Sequence, residues 1–372
     1  MQKAVFSPTF GKLPSRIVGR DQQISDFITG LEGWPGHPER STFFIGQRGM
    51  GKTALLIELG LLAEARDFVA VRVAQNEGMM QEILEGVQVG GGKFFKEKKR
   101  PAKSISAGAF GFSFGLTFSD GIEDHYGFRT KVTALCERLA EKGKGILFLI
   151  DEVTSSSSEI RQFAATYQQL VGDGANVALA MAGLPGAISA VLNDEVLTFL
   201  NRARKSYLGE LAIPEVSSYY ASVFADLGLE CSASELSRAA RASRGYPYML
   251  QLVGYHLLRT LGDARRISPE SVDIAVRNSL DAMVGDVFYP VMRPLTDVER
   301  RFLKATAADG RVAAVRERLG VSSAYVQNYR KRLIEAGIIS SPRRGELDID
   351  VPYFKEYLRG EFAPSSGLEL LP

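Results

Sequence analysis

The sequence predicts an α/β fold: a parallel sheet flanked by helices that carries a phosphate-binding loop, followed by an all-helical lid and a winged-helix domain. Three observations predict it. An apolar run at residues 42–45 leads into a glycine-rich loop and then into a helical pattern that continues to residue 64. Further β-rich runs alternate with helical patterns up to about residue 212. Beyond residue 213 helical spacing dominates, until two short β-rich runs near the C-terminus.

The charges are distributed unevenly along a chain of 372 residues whose net charge is only +2. Between Arg293 and Gly345, twelve Lys and Arg stand against five Asp and Glu, which favours an anionic partner for the C-terminal part. The two cysteines, Cys136 and Cys231, lack metal-ligand spacing and are expected to be reduced thiols. The sequence shows neither a signal peptide nor an apolar stretch long enough to cross a bilayer, so we expect a cytoplasmic protein without membrane contact.

Each element of the α/β part follows from its local pattern. A helix is predicted over residues 21–31 in the Pro- and Gly-rich N-terminal segment, and another over residues 160–171. The fully apolar run at residues 146–150 is typical of a strand buried on both faces of a parallel sheet. Further strands are predicted at residues 68–73, 177–182 and 206–208.

Residues 86–128 interrupt this alternation. Three glycines at residues 90–92 precede a basic run, and residues 110–118 alternate aromatic or leucine side chains with Gly, Ser and Thr. Because alternation with period two is typical of a strand, we interpret residues 86–128 as an inserted β-hairpin with a basic tip. In one interpretation its aromatic face packs on the core; in the other, the tip from Lys93 to Lys103 contacts a second subunit or DNA.

The glycine loop has the pattern Gly-x-x-x-x-Gly-Lys-Thr between Gly46 and Thr53. Its glycines allow a tight turn that directs backbone N–H groups at phosphate oxygens, and the following helix adds the positive end of its dipole. We expect Lys52 to reach the β- and γ-phosphates and Thr53 to offer its hydroxyl to magnesium. The sequence therefore predicts a site for ATP and Mg²⁺ formed by Gln47, Arg48, Gly49, Met50, Gly51, Lys52, Thr53 and Ala54.

Asp151 and Glu152 directly follow the apolar run at residues 146–150. If that strand lies next to the strand before the glycine loop, Asp151 can hold Mg²⁺ through water and Glu152 can act as general base on the attacking water. The alternative is that the pair only ends a strand and caps the next helix.

A cation must also stabilise the charge that develops on the γ-phosphate. The candidates are Arg202, with Arg204 and Lys205 beside it, and Arg48; the alternative is a solvated basic helix end.

The C-terminal part has the pattern of a helix-turn-helix followed by a wing. Thr296 and Glu299 form the capping box of a first helix, a second spans residues 312–319, and a third spans residues 324–336 after Ser322 or Ser323. Two short strands, at residues 338–340 and 346–349, enclose a basic turn. We expect DNA contacts from Ser323, Tyr325, Gln327, Asn328, Arg330, Lys331, Arg343 and Arg344. The alternative is a winged helix that docks protein through the same module.

These motifs resemble those of AAA+ ATPases, and more narrowly the archaeal-type and STAND-like P-loop ATPases related to origin-recognition initiators. The resemblance covers nearly the whole chain, and residues 47–53 carry its phosphate loop. Residues 10–14 and 18–21 are similar to the family's N-terminal segment, which packs on adenine, and this implies nucleotide contacts from Val18 and Gly19. A trailing winged helix also fits these families.

The lid and the sensor strand complete the resemblance. Residues 244–251 look like the Gly-x-Pro motif of the STAND lid, which implies that Tyr246 and Pro247 contact nucleotide and makes Arg244 a candidate second sensor. The family's polar sensor residue is missing at the end of the strand at residues 177–182, where Ala182 or Gly183 takes its place.

These observations divide the chain into five parts and predict a function. The parts are an N-terminal segment on the nucleotide site (1–40), an ATPase core (41–212), the lid (213–290), the winged helix (291–362) and a tail (363–372). We predict an ATP-hydrolysing, Mg-dependent molecular switch that acts on double-stranded DNA and assembles, if at all, as a homo-oligomer through its core. The alternative is a STAND-like signalling or defence scaffold whose winged helix docks a protein partner. Without the sensor residue, turnover is expected to be slow, and negligible turnover is a third alternative.

Overall fold

A five-stranded parallel sheet forms the centre of the part of the chain that the computed structural model describes, residues 5–9, 13–95, 127–154 and 157–362. The strands are β1 (Ser41–Ile45), β2 (Phe68–Ala74), β3 (Gly145–Val153), β4 (Val177–Gly183) and β5 (Arg204–Tyr207). Their order, β2-β3-β4-β1-β5, and their parallel pairing confirm the predicted sheet. One expectation is wrong: β4 lies between β1 and β3, so the strand that carries Asp151 is not adjacent to the strand before the glycine loop.

Helices cover both faces of this sheet. Helices α1 (Asp21–Glu32) and α2 (Lys52–Glu64) pack on one face. The other face is covered by α3 (Met79–Gly92), α4 (Phe128–Ala140), α5 (Ser158–Gly172) and α6 (Pro185–Leu192). Alternate residues of β3 point to the two layers: Leu147 and Leu149 pack on the α2 side, and Phe148 and Ile150 on the α5 side. This double burial explains why the strand is apolar throughout.

Helix α3 corrects the interpretation of residues 86–128 as a hairpin, because residues 86–92 are helical and Phe128 begins α4. The glycines of α3 provide room for close packing and do not form a turn. A Cβ at Gly86 would lie 2.5 Å from Cγ1 of Val71, and one at Gly90 would lie 2.6 Å from Cγ1 of Val69, both on β2. Residues 96–126, which hold the aromatic alternation and most of the basic run, lie outside the described residues.

Four helices follow the sheet, and we call them the lid. They are α7 (Ile213–Asp226), α8 (Ala233–Ala242), α9 (Pro247–Leu261) and α10 (Pro269–Met283). The N-terminal segment packs on the lid through Phe6, which is buried with its ring against Tyr219, Tyr220 and Phe224 of α7. A π-helical turn (Val284–Phe288) and α11 (Tyr289–Met292) then lead away from α10.

The last elements form what we call the C-terminal module, residues 297–358. It contains α12 (Asp297–Ala308), α13 (Val312–Leu319), α14 (Ser323–Glu335), the antiparallel strands β6 (Ile339–Ser340) and β7 (Asp348–Ile349), and α15 (Phe354–Leu358). The three helices and two strands are the elements that the sequence predicts there, and the predicted bounds of the second and third helices are within two residues of those observed, whereas α15 was not predicted. The capping box is present, since Glu299 N–H donates to Thr296 Oγ1 at 3.3 Å and Thr296 N–H donates to Glu299 Oε2 at 2.9 Å. Within the described ranges, no helix is both long and apolar enough to cross a membrane.

Candidate nucleotide site

The glycine loop lies between β1 and α2 and turns through two left-handed residues. Gly49 has φ +73° and Gly51 has φ +80°, a region that side chains with a Cβ rarely adopt. The first amide of the loop is tied to the neighbouring strand, because Gly46 N–H donates to Gly183 O at 3.3 Å. Lys52 begins α2, so the positive end of the helix dipole faces the loop.

The Lys52 side chain turns back over the loop. Its Nζ donates to the carbonyls of Gly46 and Gln47, both at 2.8 Å. Burial lowers the pKa of this ammonium to about 8; nearby Asp151 and Glu152 oppose the shift and Arg48 adds to it. The loop, the lysine and the two carboxylates therefore lie close enough to influence one another electrostatically. An anionic phosphate beside Lys52 would raise this pKa and keep the ammonium charged.

Asp151 and Glu152 occupy a bulge at the end of β3. The pairing with β4 shifts between Ile150, opposite Met181, and Val153, opposite Gly183, so that two residues of β3 face one of β4. Glu152 has φ +53°, a conformation that is strained for a residue with a side chain. Asp151 is 5% exposed, whereas Glu152 is exposed to solvent. The bulge thus directs one carboxylate inward and the next outward, at the sheet edge that carries the glycine loop.

The inward carboxylate is partly satisfied by its surroundings. Asp151 Oδ1 accepts the N–H of Glu152 at 2.9 Å, and Oδ2 lies 4.0 Å from Nη1 of Arg72. Both partners leave lone pairs of the carboxylate free. Asp151 and the Thr53 hydroxyl on the first turn of α2 offer oxygen ligands of the kind that Mg²⁺ takes in small number beside phosphate and water. The described residues contain no group of three or more His, Cys, Asp or Glu that could hold a metal ion.

The lid reaches the loop through the residues that the sequence indicated. Tyr246 is 1% exposed, and its hydroxyl donates to the carbonyl of Arg48 at 2.9 Å. A Cβ on Gly51 would lie 3.9 Å from Cβ of Pro247, an ordinary contact distance. Both lid residues therefore lie directly beside the loop.

The N-terminal residues implicated in adenine contact lie at the junction between sheet and lid. Gly19 has φ +64°, and a Cβ there would lie 2.6 Å from Oε2 of Glu215 on α7. The buried Arg20 donates from Nη2 to Gly209 O at 2.6 Å, while Val18 packs on the core shared by α2 and the lid. Residues 10–12 of the resembling motif lie outside the described residues.

The C-terminal module also contacts the loop, and no pattern in the sequence predicts this contact. Nε2 of Gln47 donates to Oδ2 of Asp350 at 2.6 Å, across 303 positions of sequence. The Gln47 side chain fits here because residue 337 is glycine: a Cβ on Gly337 would lie 2.8 Å from Oε1 of Gln47. Around β7 apolar and acidic residues alternate, so Asp350 is expected to face solvent as Asp348 does. No sequence pattern indicates that Asp350 is partly buried. Ser340 Oγ donates to its other oxygen at 2.5 Å.

The structure places the remaining arginines away from the glycine loop. Arg244 pairs with Glu356 Oε1 of α15 at 2.7 Å and stacks over the ring of Tyr353, 3.7 Å from its centroid, so it ties the lid to the C-terminal module. Arg202 and Arg204 lie where β5 begins, and Arg204 is opposite Thr42 at the start of β1. Because the glycine loop follows the other end of β1, Arg202 cannot serve the γ-phosphate of its own chain.

The predicted DNA contacts divide into two groups. Gln327, Arg330 and Lys331 line a groove of about 440 Å³ between α14 and α6. The helices approach closely there, since a Cβ on Gly186 would lie 2.8 Å from Cα of Glu335. The other group is outside the groove: Asn328, Arg343 and Arg344 are exposed, Tyr325 packs on Tyr329, and Ser323 Oγ accepts from Arg316 at 3.2 Å.

Comparison with known proteins agrees with this architecture. A family model described as a domain of unknown function, DUF8462, matches residues 285–358, and no curated protein matches the chain. The Walker-type ATPase PABY2304 of Pyrococcus abyssi is 16% identical over 95% of this chain and 100% of its own, with a TM-score of 0.70. The ORC2 protein of Aeropyrum pernix, solved as ADPNP-ADP complexes, is 14% identical over 94% of both chains, with a TM-score of 0.58.

The Cdc6p protein of Pyrobaculum aerophilum is 16% identical over 95% of both chains, with a TM-score of 0.50. The chain has the AAA+ P-loop ATPase fold of the ORC and Cdc6 type. At these identities the likeness concerns the fold, and it confirms the predicted P-loop sheet flanked by helices. The matched family model coincides with the π-helical turn, α11 and the C-terminal module.

The contact between Gln47 and Asp350 leads to a prediction about pH. Burial raises the pKa of the Asp350 carboxyl to about 6; the hydrogen bond from Ser340 opposes the shift, and Asp348 adds to it. The folded state therefore binds this proton more tightly than the unfolded state. The resulting stability is present below about pH 4, the ordinary range of Asp, and is lost as the pH rises through about 6. Replacing Asp350→Asn should remove this component and flatten the fall of the thermal unfolding midpoint between pH 4 and 7.

Glu346→Gln, exposed in the turn before β7 and not among the charges that act on Asp350, is the matched control and should keep the wild-type profile. Midpoints measured by circular dichroism across this pH range test the assignment. Superimposable profiles for wild type and Asp350→Asn would contradict it.

Proposed function

We propose that this chain is an ATP-dependent molecular switch that binds ATP with Mg²⁺, hydrolyses it, and acts on double-stranded DNA through the C-terminal module, which we interpret as a winged helix. The observation that carries the proposal is the convergence of the glycine loop, Lys52 and the bulge at Asp151 and Glu152 on one edge of an AAA+ sheet. Pocket shape alone would not distinguish ATP from other phosphates, but this combination of groups matches phosphoryl transfer to water.

Each group of the site has a distinct role in the proposed reaction. The N–H groups of the loop and the dipole of α2 hold the phosphates, and Lys52 moves from its loop carbonyls to phosphate oxygens. Thr53 and Asp151 hold Mg²⁺, which when bound neutralises charge on the phosphate oxygens. Glu152 accepts a proton from the attacking water, since the bulge gives it the outward direction that the inward Asp151 lacks.

The strand order has a consequence for that general base. Because β4 lies between β1 and β3, the strand that carries the carboxylates is two strand spacings from the strand before the loop. This separation is about 10 Å in the hydrogen-bonding direction. That separation leaves room for a phosphate, a metal ion and a water between loop and base. The adjacent end of β4 supplies only Ala182 and Gly183, so no polar side chain from it orients the water, which supports slow turnover.

A second copy of the chain would complete the site. Arg202 is exposed and lies at the far end of the sheet from its own loop, so it could reach a γ-phosphate only from a neighbouring subunit. We therefore propose a homo-oligomer in which the end of one sheet faces the glycine loop of the next. An arginine supplied in this way stabilises charge in the transition state.

The proposed DNA surface includes the turn between β6 and β7 and the exposed face of α14. The turn carries Arg343 and Arg344, which are exposed and suited to phosphate or a minor groove. Gln327 and Lys331 of α14 border α6, so we propose that the C-terminal module moves away from α6 before α14 enters a major groove. The contact of Gln47 with Asp350 supports a link between this movement and the glycine loop.

A second candidate function is a scaffold in which ATP drives assembly and the C-terminal module docks protein. The observation in its favour is the packing of α14 against α6, which shows that this helix can form protein contacts. A gel shift on duplex DNA of mixed sequence, with and without ATP, separates the two candidates. Retention at low salt supports the DNA switch, and its absence supports the scaffold.

Replacing Glu152→Gln should leave nucleotide affinity within about twofold while lowering hydrolysis by at least about 100-fold, because the amide cannot accept the proton of the attacking water. Glu77→Gln is the control, since Glu77 is exposed on the loop after β2 at the same edge of the sheet. Phosphate release and the binding of a fluorescent ATP analogue are measured on both variants. Turnover at the wild-type rate in Glu152→Gln would exclude Glu152 as the base.

Reversing the charge of both Arg343 and Arg344 to Glu should weaken duplex binding and reduce the slope of log affinity against log salt by about two, one for each lost phosphate contact. The lid offers a matched control in Arg265 and Arg266, also consecutive and exposed. Fluorescence anisotropy over a series of salt concentrations measures both effects. A double variant at 343 and 344 with the wild-type slope would exclude the turn from the DNA surface.

A further inference from the structure

The Tyr246 hydroxyl lies against the glycine loop, beside Gly49. A Cβ on Gly49 would overlap the hydroxyl oxygen of Tyr246, so the loop tolerates this tyrosine only because residue 49 is glycine. The hydroxyl donates to the carbonyl of Arg48, the residue just before that glycine. Burial raises the pKa of the Tyr246 phenol, which therefore stays protonated and keeps its proton for this hydrogen bond.

This hydrogen bond acts on the next amide through the geometry of the peptide. The Arg48 carbonyl and the Gly49 N–H belong to one planar trans peptide, so they point in opposite directions. A carbonyl held toward the lid directs the Gly49 N–H away from it. In the described part of the chain, no backbone carbonyl accepts that N–H, which leaves it available to a ligand.

Tyr246 is itself held firmly at the start of α9. The preceding Gly245 has φ +71°, and a Cβ there would overlap the carbonyl oxygen of Leu211. The Gly245 carbonyl accepts from Leu211 N–H at 2.7 Å, and the Gly245 N–H donates to the buried hydroxyl of Ser243 at 3.1 Å. The ring position is thus fixed by backbone hydrogen bonds at the junction of sheet and lid.

We propose that Tyr246 is a positioning residue: it does not contact nucleotide but orients the peptide between Arg48 and Gly49, so that the Gly49 N–H points at a phosphate beyond the α-phosphate. The proposal rests on the proposed binding of ATP. It makes the lid a determinant of phosphate affinity, whereas the affinity for the nucleoside and its first phosphate is independent of this hydroxyl.

The test compares Tyr246→Phe with Tyr248→Phe. Tyr248 lies two residues further along α9, and its hydroxyl donates to Asp286 Oδ2 at 2.9 Å, away from the loop. Each variant loses one lid hydroxyl and keeps its ring. The full chain is titrated with ATP, ADP and AMP, and the thermal unfolding midpoint is measured as an independent readout of the fold.

We expect Tyr246→Phe to weaken ATP and ADP binding by about five- to tenfold, the usual range for one lost hydrogen bond, and to leave AMP binding unchanged. Tyr248→Phe should bind all three as the wild type does. Equal loss for AMP and ADP would show that Tyr246 touches the nucleoside and overturn the positioning role, as would wild-type ADP affinity in Tyr246→Phe. A wild-type chain that binds none of the three nucleotides would instead overturn the proposed function, and the positioning role with it.

Discussion

The glycine loop is the constraint on which the rest of the structure depends, because three separate parts of the chain press against it. Strand β4 accepts its first amide, the lid donates to Arg48, and the C-terminal module accepts from Gln47. Such close approach requires glycine at residue 49, where the lid meets the loop, and at residue 337, where the C-terminal module meets it. The loop is therefore both the proposed phosphate-binding element and the point where sheet, lid and C-terminal module meet.

The three contacts differ in how readily they can be broken. Tyr246 is buried and neutral, and its neighbours fix it through the backbone. Gln47 reaches a carboxylate whose burial already disfavours its charged form, and its own Oε1 is buried without a partner among the described residues. An incompletely satisfied polar contact adds little net stability. A change in the loop would thus release the C-terminal module more easily than it would release the lid.

The sequence predicted those parts of the structure that depend on local pattern. The loop, the five strands and the capping box at Thr296 follow from spacing and residue type, and all are present. Helix α3 was missed because its glycines have the composition of a turn, although they serve close packing on Val69 and Val71. The positions of Arg202 and Asp350 depend on strand order and on contacts across the whole chain, which no local pattern contains. Local pattern thus located the loop and the carboxylates at the end of β3, but not the contact between the loop and the C-terminal module.

That coupling determines what kind of switch the proposed function describes. Residues of α14 that suit DNA border α6, while Asp350 of the same module contacts the loop, so this docking and the proposed DNA binding would compete for one module. If ATP in the loop weakens the docked arrangement, duplex DNA that binds the undocked module must strengthen ATP binding by the same factor, because linkage between two sites is reciprocal. The packing of α14 against α6 and the contact at Asp350 both favour the docked arrangement of the C-terminal module. DNA at the first contact and ATP near the second would then shift the same equilibrium toward the undocked arrangement. Even a coupling of about 1 kcal/mol, the small end of the usual range, changes affinity by about fivefold.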